Sequence, residues 1–399
     1  MSLVRSDFTA PGPPATDAVI RAVRARPARQ QPDWPDPGAV AAVTGELAGA
    51  PGLVSGSDAT ALRALLAGAA AGRLRVLQGG DCAEIPDRAT AERTARTGEL
   101  LHSLGDAFAA RAGRPVVTVG RIGGQYAKPR SEPVEVRDGR ELPVFRGHLV
   151  NDPAFEAGAR RPDPYRMLVG YRAAATVADV LAGVRPRVWT SHEALVLDYE
   201  MPLLRREPEG LVLTSTHWPW IGERTRQLDG AHVELLSRVV NPVAVKVGPA
   251  MTAAELAGLC ERLDPDREPG RAHPYRAAGS RARRQSAAGP GRGGAPGLAD
   301  PVVWLCDPMH GNTLRGPGGR KIRVVGSLMS EVRGFHAAVT AERGTPGGLH
   351  LEVTADPVAE CVSHAAESPW PAGAPEPLCD PRLHPGQARQ VVDAWPDAA

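Results

Sequence analysis

Short, nearly continuous apolar runs recur along this chain of 399 residues, each closed by a polar or glycine-containing turn. They fall at residues 74–77, 116–119, 187–190, 211–214, 243–247, 302–306 and 349–353. Stretches that read as helices lie between most of them, at 91–104, 163–181 and 253–263. Apolar strands alternating with helices predict a parallel sheet covered on both faces. Seven strands are read directly. The interval between the fifth and sixth runs has room for one more strand and helix. That makes eight, the number of a closed (β/α)8 barrel. The predicted class is α/β, a TIM barrel with a short N-terminal extension.

Residues 1 to about 35 are rich in proline and arginine and read as a loose arm. Residues 36–72 read as helical, with Leu62, Leu65 and Leu66 at helical spacing. The organisation expected is an N-terminal arm and helix over 1–55 and a catalytic barrel over 56–399. One segment breaks the rhythm. Residues 271–299 carry no acid, and their only large apolar side chains are Tyr275 and Leu298. By composition this segment is disorder-like, so the sixth β/α unit is expected to be anomalous. Runs of arginine, alanine, glycine and proline are also what GC-rich codons yield in a shifted reading frame. If the segment is genuine, the barrel is expected to lack a normal sixth strand.

Composition narrows the function. A net charge of +2, with basic residues scattered among acids, gives no support for nucleic-acid binding. No stretch approaches the roughly 20 apolar residues of a membrane helix, and the first residues carry no apolar signal core. Five cysteines, irregularly spaced, are not a disulfide framework. A cytoplasmic protein is expected. The cations are lopsided, three lysines against forty-four arginines. Lysine is a compact point charge on a flexible stem, and arginine a wide planar fork. The surviving lysines are therefore candidates for places where a fork does not serve. Lys246 ends an apolar run, where an ammonium needs an anionic partner. Lys321, flanked by Arg320 and Arg323, is as well explained by chance survival.

Polar residues gather just past the strand ends. They include Asp81, Cys82 and Glu84 after the first strand, Arg121 after the second, and then Lys128, Arg130 and Ser131. Ser191, His192 and Glu193 follow the third, and Glu223 and Arg224 the fourth. Lys246 is on the fifth, Asp307 and His310 follow Cys306, and His350 and Glu352 are on the last. In a barrel these ends share one face. Two chemical groups separate. Arg121, Lys128, Arg130, Arg224 and Lys246 imply a substrate with several negative charges, most simply phosphate and carboxylate. Cys82, His310, Glu352 and Asp380 offer a thiolate, an imidazole and two carboxylates, which suit a divalent Mn, Fe, Co or Zn ion. The bland alternatives are surface ion pairs for the cations and simple packing for the cysteine.

The motifs LQGGDCAE, GRIGGQYAKPRS, SHEALVLDYE, WIGERTRQLDG, PVAVKVGP, VVWLCDPMHGNT, EVRGF, GGLHLEVT and CDPRL occur in this order. Over about residues 30–390 the chain thereby resembles the class II 3-deoxy-D-arabino-heptulosonate 7-phosphate (DAHP) synthases. The resemblance implies a metal-dependent barrel enzyme that condenses phosphoenolpyruvate with erythrose 4-phosphate and releases phosphate, the first step of the shikimate pathway. It implies Cys82, His310, Glu352 and Asp380 as ligands of Mn, Co, Fe or Zn. It places Arg121, Glu223, Arg224 and Lys246 at phosphoenolpyruvate, and Lys128, Arg130 and Ser131 at erythrose 4-phosphate. Arg276 lies near the place of the family's phosphate-binding arginine on the sixth strand. A metal-held water, Lys128 and His310 are all open as the acid that protonates the new hydroxyl. The short stretch before Trp220 lacks the regulatory helices of larger members, which implies the compact form used for secondary metabolites such as phenazines. A homodimer or larger assembly is implied. Two other readings stand beside this one, an aminoDAHP synthase using an imino-sugar phosphate and an inactive homologue docking a partner such as a chorismate mutase. His384 replaces the family's usual asparagine, which puts the position of Asp380 in question.

Overall fold

The computed structural model describes residues 16–276, 302–367 and 378–397. Eight strands build its centre: β1 (Arg75–Gly80), β2 (Val116–Arg121), β3 (Trp189–Glu193), β4 (Trp218–Ile221), β5 (Val243–Val247), β6 (Ala272–Arg276), β7 (Trp304–Cys306) and β8 (Pro346–Glu352). Each runs parallel to its neighbours in the chain, and β8 returns to β1, so the sheet closes into a barrel. Three helices come before it, α1 (Thr16–Arg24), α2 (Pro37–Gly49) and α3 (Gly56–Ala70). Crossovers are made by α4 (Ala91–Ala112), α5 (Arg166–Ala182), α6 (Ala231–Ser237), α7 (Ala253–Leu263) and α8 (Val325–Ala341), and α9 (Pro385–Asp393) follows β8. Among the described residues no helix is long and apolar enough to cross a membrane.

Local signals set the helix ends. Thr90 caps α4 by accepting from Arg93 N, and Gly113 stops it with φ 60°. Thr252 and Glu255 form a reciprocal capping box on α7. Apolar faces then sort the elements. Leu62, Leu66, Ala69 and Ala70 of α3 share one buried cluster with the barrel residues Val76, Val119, Trp218, Trp220 and Ala244. Arg187, just ahead of β3, donates to Asp58 of α3 at 2.6 Å, so α3 stoppers the end where the strands begin. The other end is left open. Leu101 and Phe108 of α4, Val332 of α8 and Val391 of α9 form the outer layer around β1 and β8.

Three sequence expectations are corrected. The run at 211–214 is not a barrel strand, because Gly210–Leu213 pairs antiparallel with Leu204–Glu207 in a separate hairpin. The fourth strand is β4, disguised in the sequence by Pro219, which lacks a ladder donor. Trp218 and Trp220 bury completely against the interior cluster, and that burial outweighs the missing bond. The sixth strand is present. β6 pairs with β5 (Tyr275 opposite Lys246) and with β7 (Arg276 opposite Cys306). Two waiting strand edges supply the backbone partners that the local composition does not advertise. Residues 277–299 of the unusual segment lie outside the described residues. Finally, the N-terminal arm is not loose from Thr16 onward, since Val19 and Val23 of α1 pack with Leu235, Leu236 and Leu259.

Candidate active site

The open end of the barrel leads into a cavity of about 840 Å³. Arg121, Lys128, Arg130, Ser131, Glu223, Arg224, Lys246, His310 and Asp380 all border it. Lys321 does too, so every lysine of the chain meets at one place. Strand register brings Gly80, Arg121 and Glu352 into one row. Gly80 is required there, because a Cβ would lie 2.4 Å from Arg121 O.

Arg121 is buried; both of its Nη groups have partners and its Nε has none among the described residues. Its Nη1 donates to Glu352 Oε1 at 3.2 Å and to His350 Nε2 at 2.8 Å. Its guanidinium lies 5.3 Å from the centre of the Trp220 ring. His350 Nδ1 pairs with Gln78 Oε1, Gln78 Nε2 donates to Ser191 Oγ at 2.5 Å, and Ser191 Oγ donates to Trp218 O at 2.7 Å. This chain puts the imidazole proton on Nδ1 and leaves Nε2 to accept from Arg121. Glu352, fully buried, takes a second cation on its other oxygen, Arg323 Nη1 at 2.6 Å. Burial opposes its charge, but His310, Arg323 and Arg121 hold it well below the usual carboxylate range.

The sulfur of Cys82 and one carboxylate oxygen each of Glu352 and Asp380 lie within 4.8 Å of one another. His310 Nε2 is 3.4 Å from Glu352 Oε1. Cys82, Glu352 and Asp380 are thus brought together from the end of β1, from β8 and from the loop before α9, while His310, after β7, groups with Asp307 and His350 and meets the first three through Glu352. Lys128 Nζ donates to Cys82 Sγ at 2.8 Å, and Lys321 Nζ to Asp380 Oδ1 at 2.8 Å. A sulfur and two carboxylates at this spacing, with an imidazole beside one of the carboxylates, have the donor chemistry of a borderline divalent ion site. His384 does not displace Asp380; its ring caps α9 by accepting from Gly386 N at 3.1 Å.

The family model for class-II DAHP synthetases matches residues 19–186 and 184–394. The chain belongs to the class-II DAHP synthetase family. A relative from Pseudomonas fluorescens, named probable phospho-2-dehydro-3-deoxyheptonate aldolase, is 45% identical over 385 residues, covering 92% of this chain and 94% of that protein. A Streptomyces coelicolor phospho-2-dehydro-3-deoxyheptonate aldolase is 37% identical over 429 residues, 92% of this chain and 94% of that one. The solved structure of phospho-2-dehydro-3-deoxyheptonate aldolase from Francisella tularensis aligns over 98% of this chain and 99% of its own, with a TM-score of 0.50 at 10% identity, a likeness of fold alone.

The sequence reading gave no individual role to Asp307 or Glu84, which position other residues of this family member's site. Asp307 Oδ2 lies 2.7 Å from His310 Nδ1, which turns His310 Nε2 toward Glu352. Asp307 also stands 3.7 Å from Lys246 Nζ, the anionic partner that Lys246 needs. Glu84 accepts from the backbone N–H groups of Gly123, Gly124 and Gln125 at 2.7–2.9 Å and so shapes the turn between Arg121 and Lys128. Glu223 Oε2 accepts from Gly248 N at 3.0 Å, tying the end of β4 to the end of β5. Arg224 Nη2 donates to Ser131 Oγ. Arg276 closes β6; its side chain lies outside the described residues. Lys321 had a sequence signal, lysine scarcity; Asp307 and Glu84 had their places just past strand ends, and Arg323 had none.

Charge states follow from burial. Desolvation works against the Lys128 ammonium, but Cys82, Cys379, Glu352 and Asp380 raise its pKa above the ordinary value. Lys246 goes the other way, lowered by desolvation despite Asp307. Burial lifts the Cys82 thiol, while its neighbour Cys379 is drawn down by Cys82 and Lys128. Glu193, lifted by burial against the pull of Lys246, Lys128 and Arg121, keeps a buried Oε1 without a hydrogen-bond partner among the described residues.

Proposed function

We propose that this chain condenses phosphoenolpyruvate with erythrose 4-phosphate and releases phosphate, as a metal-dependent DAHP synthase. One observation carries the reading. Arg121, Lys128, Arg224 and Lys246 border a single cavity that adjoins a sulfur, an imidazole and two carboxylates. Cations of this number suit two phosphorylated substrates, and the donor set suits the ion that such a reaction needs.

Arg121, Arg224 and Lys246 hold the carboxylate and phosphate of phosphoenolpyruvate, with Glu223 fixing the loop beside Lys246. Arg130 and Ser131 take the phosphate of erythrose 4-phosphate. Cys82, His310, Glu352 and Asp380 hold the divalent ion, which when bound supplies Lewis acidity toward the aldehyde oxygen. Fixing both anions brings C3 of phosphoenolpyruvate against the aldehyde carbon without further ordering. As the carbon–carbon bond forms, positive charge develops at C2; water adds there, and phosphate then leaves with the C2–O bond broken. Lys128 Nζ, held protonated, offers the proton for the new hydroxyl and is re-protonated from solvent. Glu193 and Glu352 oppose the charge developing at C2 by electrostatics alone.

The test is phosphate release from the two substrates with manganese, then with a chelator. Release is expected to need both substrates, to stop with the chelator and to return with added metal. Cys82→Ser is expected to weaken metal binding and lower turnover together, by about tenfold or more. Release that ignores erythrose 4-phosphate, or a Cys82→Ser protein that binds metal normally, would sink this assignment.

A further inference from the structure

The run Lys128-Pro129-Arg130-Ser131 crosses the cavity mouth with little support from the barrel. Lys128 N donates to Arg146 O at 2.9 Å, and the next backbone tie is Val144 N to Pro133 O at 3.0 Å. Pro129 has no N–H to offer. Both backbone groups of Arg130 are instead taken up by one side chain, 100 residues away. Arg130 N donates to Gln30 Oε1 at 2.8 Å, and Gln30 Nε2 donates to Arg130 O at 3.0 Å. The amide copies, at a single residue, the pairing a neighbouring strand would give.

Gln30 is itself firmly held. Its φ of 61° is in the left-handed region, which a residue with a side chain keeps only when its surroundings determine it. Arg146 donates from Nη2 to Gln30 O at 2.6 Å and from Nη1 to Gln31 O at 3.0 Å. Gln31 then bridges the loop after β3, donating to Leu195 O and accepting from Leu197 N, each at 2.9 Å. Ahead of Gln30, Ala231 N donates to Pro27 O at 2.9 Å, so the N-terminal segment is fastened to the barrel on both sides of the point where it grips Arg130.

We propose that Gln30 is a positioning residue for the sugar-phosphate half of the reaction, holding the Arg130 backbone so that Arg130 and Ser131 face the phosphate of erythrose 4-phosphate. This rests on the roles given to Arg130 and Ser131 above. A free loop must be ordered at each binding event, an entropic cost set against affinity. Gln30 moves that ordering into folding. Ser131 is joined on its other side to Arg224, so the held run also keeps the two substrate halves in register.

The test uses the full chain loaded with manganese. Gln30→Ala, and the equal-sized Gln30→Glu that keeps the acceptor and loses the donor, are expected to raise KM for erythrose 4-phosphate by about three- to tenfold, the weight of one or two net hydrogen bonds. KM for phosphoenolpyruvate and the Tm are expected to stay near those of the parent. In an Arg130→Ala background, Gln30→Ala is expected to cost less than it does alone, since only the part acting through Ser131 is left. Additive losses in that background, or equal losses for both substrates with a lowered Tm, overturn the proposal and make Gln30 a structural tie. If Arg130→Ala raises KM for erythrose 4-phosphate and neither Gln30 variant does, the Gln30 role alone fails. If Arg130→Ala leaves that KM unchanged, the assignment of Arg130 fails first.

Discussion

Lysine and arginine carry the same charge but divide the work of this site by shape. Arg121 spreads its donors over Glu352 and His350 and lies near the Trp220 ring, as a planar fork can. Lys246 fits a narrower gap, 3.4 Å from His310 Nε2 and 3.7 Å from Asp307 Oδ2, with its side chain 14% exposed. A guanidinium there keeps the charge but collides with His310 or is driven out into the cavity. Lys246→Arg is therefore expected to lower kcat/KM for phosphoenolpyruvate by about tenfold or more. Steady-state kinetics with each substrate varied in turn decide it, and parental kinetics would remove the shape argument. Scarcity made the three lysines legible in the sequence. Arg323 was not legible among forty-four arginines, although it is fully buried on Glu352. Only its burial opposite a carboxylate singles it out.

At the scale of elements, the end of β1 shows how packing and chemistry meet. Gly79 and Gly80 are adjacent but face different surroundings. A Cβ on Gly79 would meet Leu101 Cδ2 at 2.8 Å and Val353 Cγ2 at 3.2 Å, side chains of the outer layer that can shift. A Cβ on Gly80 would meet backbone, Arg121 O at 2.4 Å and Arg121 C at 2.9 Å, and its φ is 150°. Gly79→Ala is expected to cost about 1–3 kcal/mol by overpacking, with near-parental kinetics in the folded protein. Gly80→Ala must part β1 from β2 and so move Arg121 away from the Cys82 side. It is expected to lose stability and most of its turnover together. Thermal melts beside kinetics on both variants separate these outcomes; an active, stable Gly80→Ala would refute the strand-contact account. The alternation of strands and helices was readable beforehand because it is local. β4 and β6 were not, because Pro219 and the poor apolar content of residues 272–276 hide strands whose partners lie on other strands.

The whole molecule answers to pH through histidines far from the cavity. His217 Nδ1 accepts from Thr190 N at 3.0 Å, which seats that ring as a neutral tautomer, and His232 Nε2 donates to Leu195 O at 2.9 Å. Desolvation lowers both pKa values below the ordinary one. The unfolded chain, with histidine near 6.5, then binds more protons than the folded one on acidification. This contribution to stability is complete above about pH 6.5 and is lost as pH falls through the interval below it. Asp58, drawn down by its bonds to His217 and Arg187, acts in the same direction at lower pH, since its contribution vanishes as the carboxylate protonates. Denaturant midpoints of the metal-free protein are expected to fall between about pH 7.5 and pH 5, and less steeply in His217→Gln. A midpoint that stays level or rises would contradict neutral burial.

The sequence by itself determined the repeating units, the polar ends of the strands and the residue types gathered there, because periodicity and motif order are written in neighbouring positions. It also marked the lysines through their rarity. Tertiary structure alone decided which runs became barrel strands, that Asp307 faces Lys246, that Arg323 and Arg121 share Glu352, and that Gln30 reaches Arg130. The three contacts depend on pairs of segments, from 29 to 231 residues apart, closing to hydrogen-bond or ion-pair distance. The energy of such a contact resides in the pair and in the water that burial removes from it, so neither segment carries the signal alone.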